Sequence, residues 1–274
     1  MRAHRAINLW LGAALVLPMI AIAAISLIWT PYDVTLLDVG NKFAPPSPSH
    51  WLGTDQLGRD VASLLMSASV NSLTVAFVAV GMGGSLGVML GLLASAFGGW
   101  VETLVMRLAD LGFAFPALLF AIMLATAFGP SLSNAILAIA FINIPVFARV
   151  ARGAANQVWT RDFVLAGQAA GLGRARLTFD HILPNIAAPI IVQATIEFAV
   201  AILAEAALSY LGLGAQPPLP SWGRMLSEAQ TLMYLAPELA IYPGLCIIIA
   251  VLGFGLLGDG LRDVTDPRLK QVRA

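Results

Sequence analysis

The run from Leu73 to Phe97 contains no charged residue, and at 1.5 Å per residue a helix of that length crosses the hydrocarbon of a bilayer. Runs of comparable length recur at Ile7 to Thr30, Leu104 to Phe128, Leu132 to Ala148, Ala187 to Leu211 and Leu239 to Leu257. The composition agrees. With 59% hydrophobic and 11% charged residues, the chain lacks the polar side chains needed to cover a water-facing globule of its size. The expected fold is an all-α membrane protein of about six transmembrane helices.

The first run follows Arg2, His4 and Arg5, a pattern shared with cleaved signal peptides. It is longer than the roughly 7 to 15 apolar residues typical of a signal core, so a retained span is the reading, with cleavage as the alternative. Six spans return both termini to one side. That side then carries Arg2, Arg5, Arg107, Arg149, Arg152, Arg161, Arg174, Arg176, Arg262, Arg268, Lys270 and Arg273, against Lys42, Arg59 and Arg224 opposite. By the positive-inside rule the larger group is cytoplasmic, as are both termini. The organisation is therefore a tail and first span (1–30), an extracytoplasmic segment (31–66), a five-helix core (67–260) enclosing a cytoplasmic loop (153–186), and a cytoplasmic tail (261–274).

Within the spans, Gly83, Gly87 and Gly91 form a four-residue ridge that lets helix backbones approach closely. Pro116 and Pro145 remove backbone hydrogen bonds and kink the third and fourth spans, shaping either a pathway or the packing. Glu197 and Glu205 lie in the fifth span, where an ionised carboxylate facing lipid costs at least a few kcal/mol. Two readings stand: with Ser209 they line a polar translocation path, or they are interface carboxylates, Glu205 being near the outer end. Asp110 is one turn beyond Arg107, which suggests an i,i+3 ion pair. Cys246, the single cysteine, lies in an apolar run and reads as a small buried hydrophobe.

The long polar interruption from Asp162 to Asn185 is a segment that a membrane protein shows to a partner. It reads as a short helix that opens on an acidic residue and stops at Gly171 and Gly173, followed by Arg174, Arg176, His181 and a Leu-Pro-Asn corner. Catalytic signatures are missing. No stretch matches GxxxxGK[ST], so the chain has no phosphate loop for ATP. Gly253, Gly255 and Gly258 spell GxGxxG inside an apolar span without a preceding strand, which makes them helix contacts. His4, His50 and His181 have no metal-ligand spacing, and nothing resembles a nucleophile elbow. Zero formal charge gives no reason to expect nucleic acid as a partner.

Several long strings nevertheless resemble one family. They are HWLGTDQLGRD (His50 to Asp60), FGGWVETLVMRLADLGFAFP (Phe97 to Pro116), HILPN (His181 to Asn185), ILAEAALSYLGLGAQPPLPSWG (Ile202 to Gly223) and LLGDGLRDVTDPRL (Leu256 to Leu269). The family is the permease subunits of ABC importers for dipeptides, oligopeptides and nickel, and within it the shorter permease of the pair. The resemblance implies a type I importer fold in a bacterial inner membrane. It also implies a second homologous permease, two cytoplasmic ATPase subunits carrying the ATP and Mg, and an extracytoplasmic solute-binding protein. This chain is then not an enzyme and holds neither cofactor nor metal.

In such permeases a cytoplasmic EAA motif forms the helix that docks on the ATPase. The matching residues here are Asp162, Phe163, Leu165, Ala166, Gly167, Ala170, Gly171, Leu172, Gly173 and Arg174, with Leu165 where the family usually has Glu. The resemblance makes Pro31 to Asp60 and Gly212 to Ala236 the outer surface for the binding protein, with Trp51, Arg59, Trp222 and Tyr234 as contacts. Peptide is the expected solute and nickel or a metal chelate the alternative. An ion-coupled secondary transporter and a membrane enzyme are the rival classes, without inverted repeats or a convergent catalytic set to support them.

Overall fold

The computed structural model describes residues 2–265, with side chains from Ile7 onward. Arg268, Lys270, Arg273 and the end of the Leu256 to Leu269 string lie outside the described residues, as do the side chains of Arg2, His4 and Arg5. Among the described residues the fold is helical, without a β-strand. Helices α1 (Arg2–Ser26), α2 (Val61–Phe97), α3 (Gly99–Ala114), α4 (Ala117–Phe128), α5 (Leu132–Trp159), α6 (Asp162–Ala169), α7 (Arg174–Arg176), α8 (Leu183–Tyr210), α9 (Trp222–Ala229) and α10 (Glu238–Thr265) follow in order. A π-helical turn, Leu177–Ile182, joins α7 to α8. It ends two residues before Pro184, whose missing N–H removes one bond of the regular ladder.

Helix α2 is the central strut. Asp60 caps it, accepting the Ser63 N–H at 2.8 Å, so the helix begins at Val61 and the outer segment ends before the expected residue 66. Its 37 residues span about 55 Å, well beyond a bilayer core. The glycine ridge does what its spacing predicted. A Cβ on Gly83, Gly87 or Gly91 would collide with the carbonyl oxygens of Ala140, Ile144 and Ala148 on α5. Because the contacts advance together along both helices, α2 and α5 run parallel, and the chain between them must return across the bundle.

That return is broken. The third span was expected as one kinked helix; instead α3 and α4 meet at 81°. Phe115 and Pro116 are both extended, at ψ 119° and 129°. Proline excludes the preceding residue from helical backbone, and here two successive residues leave the helix rather than one. Among the described residues, five helical segments are long and apolar enough to cross a membrane, and the α3–α4 pair makes six if it counts as one span.

Helix α10 lies antiparallel to both α8 and α1. Phe254 meets Phe198 and Gly258 meets Thr195, while Gly253 receives Val16 and Gly260 receives Leu9. The N-terminal end of α1 and the C-terminal end of α10 therefore lie at one end of the molecule, together with the loop between α5 and α8. Gly255, expected as a third helix contact, has nothing within 4 Å of its Cβ position among the described residues. Cys246 is partly buried on α10.

Candidate functional site

Between α5 and α8 the chain builds a small, rigid bracket. Asp162 opens α6 and places a negative charge on its N-terminal dipole. At the other end the Gly171 N–H donates to the Gln168 carbonyl (2.9 Å) and the Leu172 N–H to the Gly167 carbonyl (3.0 Å). These are the two bonds of a Schellman stop, with Gly171 at φ +83° in the left-handed position. The glycine stop expected from sequence is therefore present. Its Cβ position is open, so backbone conformation alone, not crowding, calls for glycine.

One face of α6 is held inward. Val164 is fully buried, and a Cβ on Gly167 would stand 2.8 Å from Leu177 Cδ2 and 3.3 Å from Leu172 Cδ1. Gly167 thus lets Leu172 and Leu177 close over the helix. Phe163 meets the His181 ring edge-on at 6.4 Å, tying α6 to the π-helical turn. The opposite face is free: Asp162, Leu165, Ala166 and Ala169, spaced i, i+3, i+4 and i+7, are all exposed. Leu165 is 49% exposed and Phe163 46%. Ala170 and Gly173 are exposed as well, while Arg174 turns away to line a groove against α2.

Basic residues on the C-terminal half of α5 are pinned by α3. Arg149 pairs with Asp110 and sits 4.3 Å above the Phe113 ring, and Arg152 pairs with Glu102. The expected Arg107–Asp110 pair does not form. An antiparallel α3 brings a cation from α5 directly opposite Asp110.

At the far end of the bundle, the segment before α2 and the loop carrying α9 form one cap. Arg59 donates to Asp55 at 2.7 Å and to Glu228 of α9 at 3.1 Å, and Arg224 donates to Glu228 at 2.8 Å. Arg59 was expected as a free partner contact; it is instead largely enclosed in this ion cluster. The Asn71 side-chain amide donates to the Pro220 carbonyl (2.7 Å) and the Trp222 N–H to Ser72 Oγ (3.2 Å), which joins the cap to α2. Trp222, also expected on the surface, is fully buried. Ser221 caps α9, and the close approach of Gly223 to Ala206 turns the indole inward. The signal was present, since Trp222, Met225, Leu226 and Ala229 are an i, i+3, i+4, i+7 stripe that reads as a buried helix face. Trp51 and Tyr234 are exposed as expected, Tyr234 fully.

The two membrane carboxylates are both buried, and Glu205 does not fit the interface reading. Glu205 is fully buried; its Oε1 accepts from Ser209 Oγ at 2.7 Å, and that hydroxyl in turn accepts the Ala215 N–H at 3.1 Å. Glu205 is no snorkelling interface residue, since it and Ser209 are both buried within the chain. Its place beneath the α8–α9 connection makes it part of the cap's attachment. Glu197, 7% exposed, accepts from Gln193 at 2.8 Å. A groove of about 450 Å³ runs between α2 and α8 and is lined by Gly81, Gly84, Ser85, Phe147, Ala194 and Phe198 among others.

The profile of the family described as "Binding-protein-dependent transport system inner membrane component" matches residues 83–271. The chain is 42% identical over 259 residues to the dipeptide transport system permease protein DppC of Alkalihalophilus pseudofirmus, covering 94% of this chain and 85% of that protein. It is 41% identical over 256 residues to the glutathione transport system permease protein GsiD of Pectobacterium atrosepticum, covering 93% and 85%. Among solved structures, inward-facing conformations of the MetNI methionine ABC transporter share the fold at TM-score 0.61, with 19% identity over 74% of this chain and 97% of that one. A helical bundle with spans long enough to cross a membrane, a polar bracket at one end and a cap at the other, and relatives matched over more than nine-tenths of the chain lead to one assignment: the chain belongs to the inner-membrane components of binding-protein-dependent transport systems, the permease subunits of ABC importers.

Proposed function

We propose that this permease imports small peptides, in a complex with a second permease, two cytoplasmic ATPase subunits that hold the ATP and Mg, and an extracytoplasmic binding protein. The observation that carries the solute is the naming of both relatives above for peptide transport, glutathione being a tripeptide, at matches along more than nine-tenths of this chain. Nickel has no comparable support. Orientation follows from charge. Arg107, Arg149, Arg152, Arg161, Arg174, Arg176 and Arg262 lie toward the end of the bundle that carries α6, whereas Lys42, Arg59 and Arg224 lie toward the cap, which puts α6 and both termini in the cytoplasm.

In this reading the exposed stripe of α6, Asp162, Leu165, Ala166 and Ala169 with Phe163 beside it, docks on an ATPase. Leu165 supplies an apolar contact in place of the carboxylate. Movement of the ATPase pair is transmitted through Val164, Gly167 and Leu177 to the π-helical turn and so to α8, rocking the bundle between inward and outward openings. The solute follows the α2–α8 groove, with Glu197 beside groove-lining Phe198. Trp51 and Tyr234 meet the binding protein. Reconstitution of the full complex with its binding protein tests the solute: ATP-dependent uptake of labelled dipeptide or glutathione, unaffected by nickel, is expected. Nickel uptake without peptide competition overturns the peptide assignment.

A further inference from the structure

A second groove, about 190 Å³, lies between the inner end of α2 and the segment that links α6 to α8. Leu92, Leu93 and Phe97 form one wall, and Thr178 and Phe179 the other. Arg174 is the one charged residue among those lining it, and among the described residues it makes no ion pair. The Thr178 hydroxyl donates to the Arg174 carbonyl at 2.8 Å, which ties this wall to the rim residue through its backbone. Phe97 is 56% and Phe179 50% exposed, so the groove opens sideways. Just beyond it stands Trp100, 76% exposed, at the α2–α3 turn. An exposed indole at a span end marks the depth where hydrocarbon meets headgroups. An apolar slot at that depth, with a lone cation at its rim, suits a molecule that has an alkyl chain below and an anion above.

We propose that this groove is a binding site for one anionic phospholipid of the inner leaflet, with an acyl chain against Leu92, Leu93 and Phe179 and its phosphate on Arg174. Charge complementarity selects an anionic lipid over a zwitterionic one, since the zwitterion brings its own ammonium group. The site touches Arg174 and the π-helical turn, so an occupied groove braces the link through which α6 moves α8. The inference goes beyond the transport role and takes from it only the inward orientation.

The test uses the assembled complex in detergent, with added phosphatidylglycerol or phosphatidylethanolamine, read by native mass spectrometry. Wild type should hold phosphatidylglycerol over phosphatidylethanolamine. Arg174→Gln should lower that preference about fivefold, the effect of one basic residue near an anionic surface, and Arg174→Lys should keep it. Leu93→Trp, which fills the slot, should reduce retention of both lipids. Should Arg174→Gln fail to assemble, the Lys and Trp variants still decide the matter. Equal lipid preference in wild type and Arg174→Gln, or unchanged retention in Leu93→Trp, overturns the site. Because the readout is lipid retention in solution, a failed peptide assignment or a reversed orientation leaves its outcome distinct.

Discussion

At Gly171 the chain holds φ +83° with open space around the Cβ position, so the residue matters through its backbone. A left-handed conformation costs an L-residue about 1–2 kcal/mol, which works against the stop that ends α6. Gly171→Leu is therefore expected to insert and assemble normally but to reduce ATP-driven uptake several-fold, measured in vesicles alongside subunit co-purification. Full uptake would remove the stop from the coupling machinery. Glu205 is the contrasting case, a polar group whose surroundings are closed. Removing it strands the Ser209 hydroxyl beneath the α8–α9 connection, at a cost of about 1–3 kcal/mol. Glu205→Ala should lower the thermal unfolding midpoint of the purified complex by several degrees. Glu205→Gln, which retains an acceptor for Ser209, should lose much less; equal losses would show that the hydrogen bond to Ser209 contributes nothing.

At the scale of elements, two short helices have opposite designs. α9 turns its apolar stripe inward and is fixed by Arg59, Arg224 and Glu228, whereas α6 buries only one narrow face and leaves Leu165 and Phe163 in water. An exposed apolar helix face on an otherwise ordered bracket is an interaction surface. Burying a leucine side chain contributes about 1.5–3 kcal/mol, so Leu165→Asp should weaken ATPase retention by about tenfold or more in pull-downs from membranes. Co-purification equal to wild type would move the docking face elsewhere. The break between α3 and α4 belongs to this scale too. Pro116 announces a disturbance, but a kink and an 81° corner differ only in whether one residue or two leave the helix, and that depends on what each half packs against.

For the whole molecule the testable quantity is sidedness. The contacts of α1 with α10 place the start of α1 and the end of α10 at one end, and the orientation proposed above from the arginines makes that end cytoplasmic. In a Cys246→Ser background, Lys42→Cys and Tyr234→Cys should react with an impermeant thiol reagent added to intact cells, while Ala175→Cys should react only after permeabilisation. The reverse pattern would invert the orientation and place α6 away from ATP.

The sequence by itself determined the class of fold, because uncharged runs of bilayer length leave a backbone no state but helix in hydrocarbon. It also determined the bracket's helix and its glycine stop, and the Gly83–Gly87–Gly91 ridge, since each is a pattern of residues close together along the chain, though not that α5 would be the helix to meet that ridge. What it left open were partnerships across the fold. Arg59 with Glu228, Asp110 with Arg149, Trp222 beneath its cap and Glu205 sealed beside Ser209 became fixed only once distant segments met. Local pattern says which face of a helix is apolar; only tertiary packing decides whether that face meets lipid, another helix or water, and which charge finds which partner.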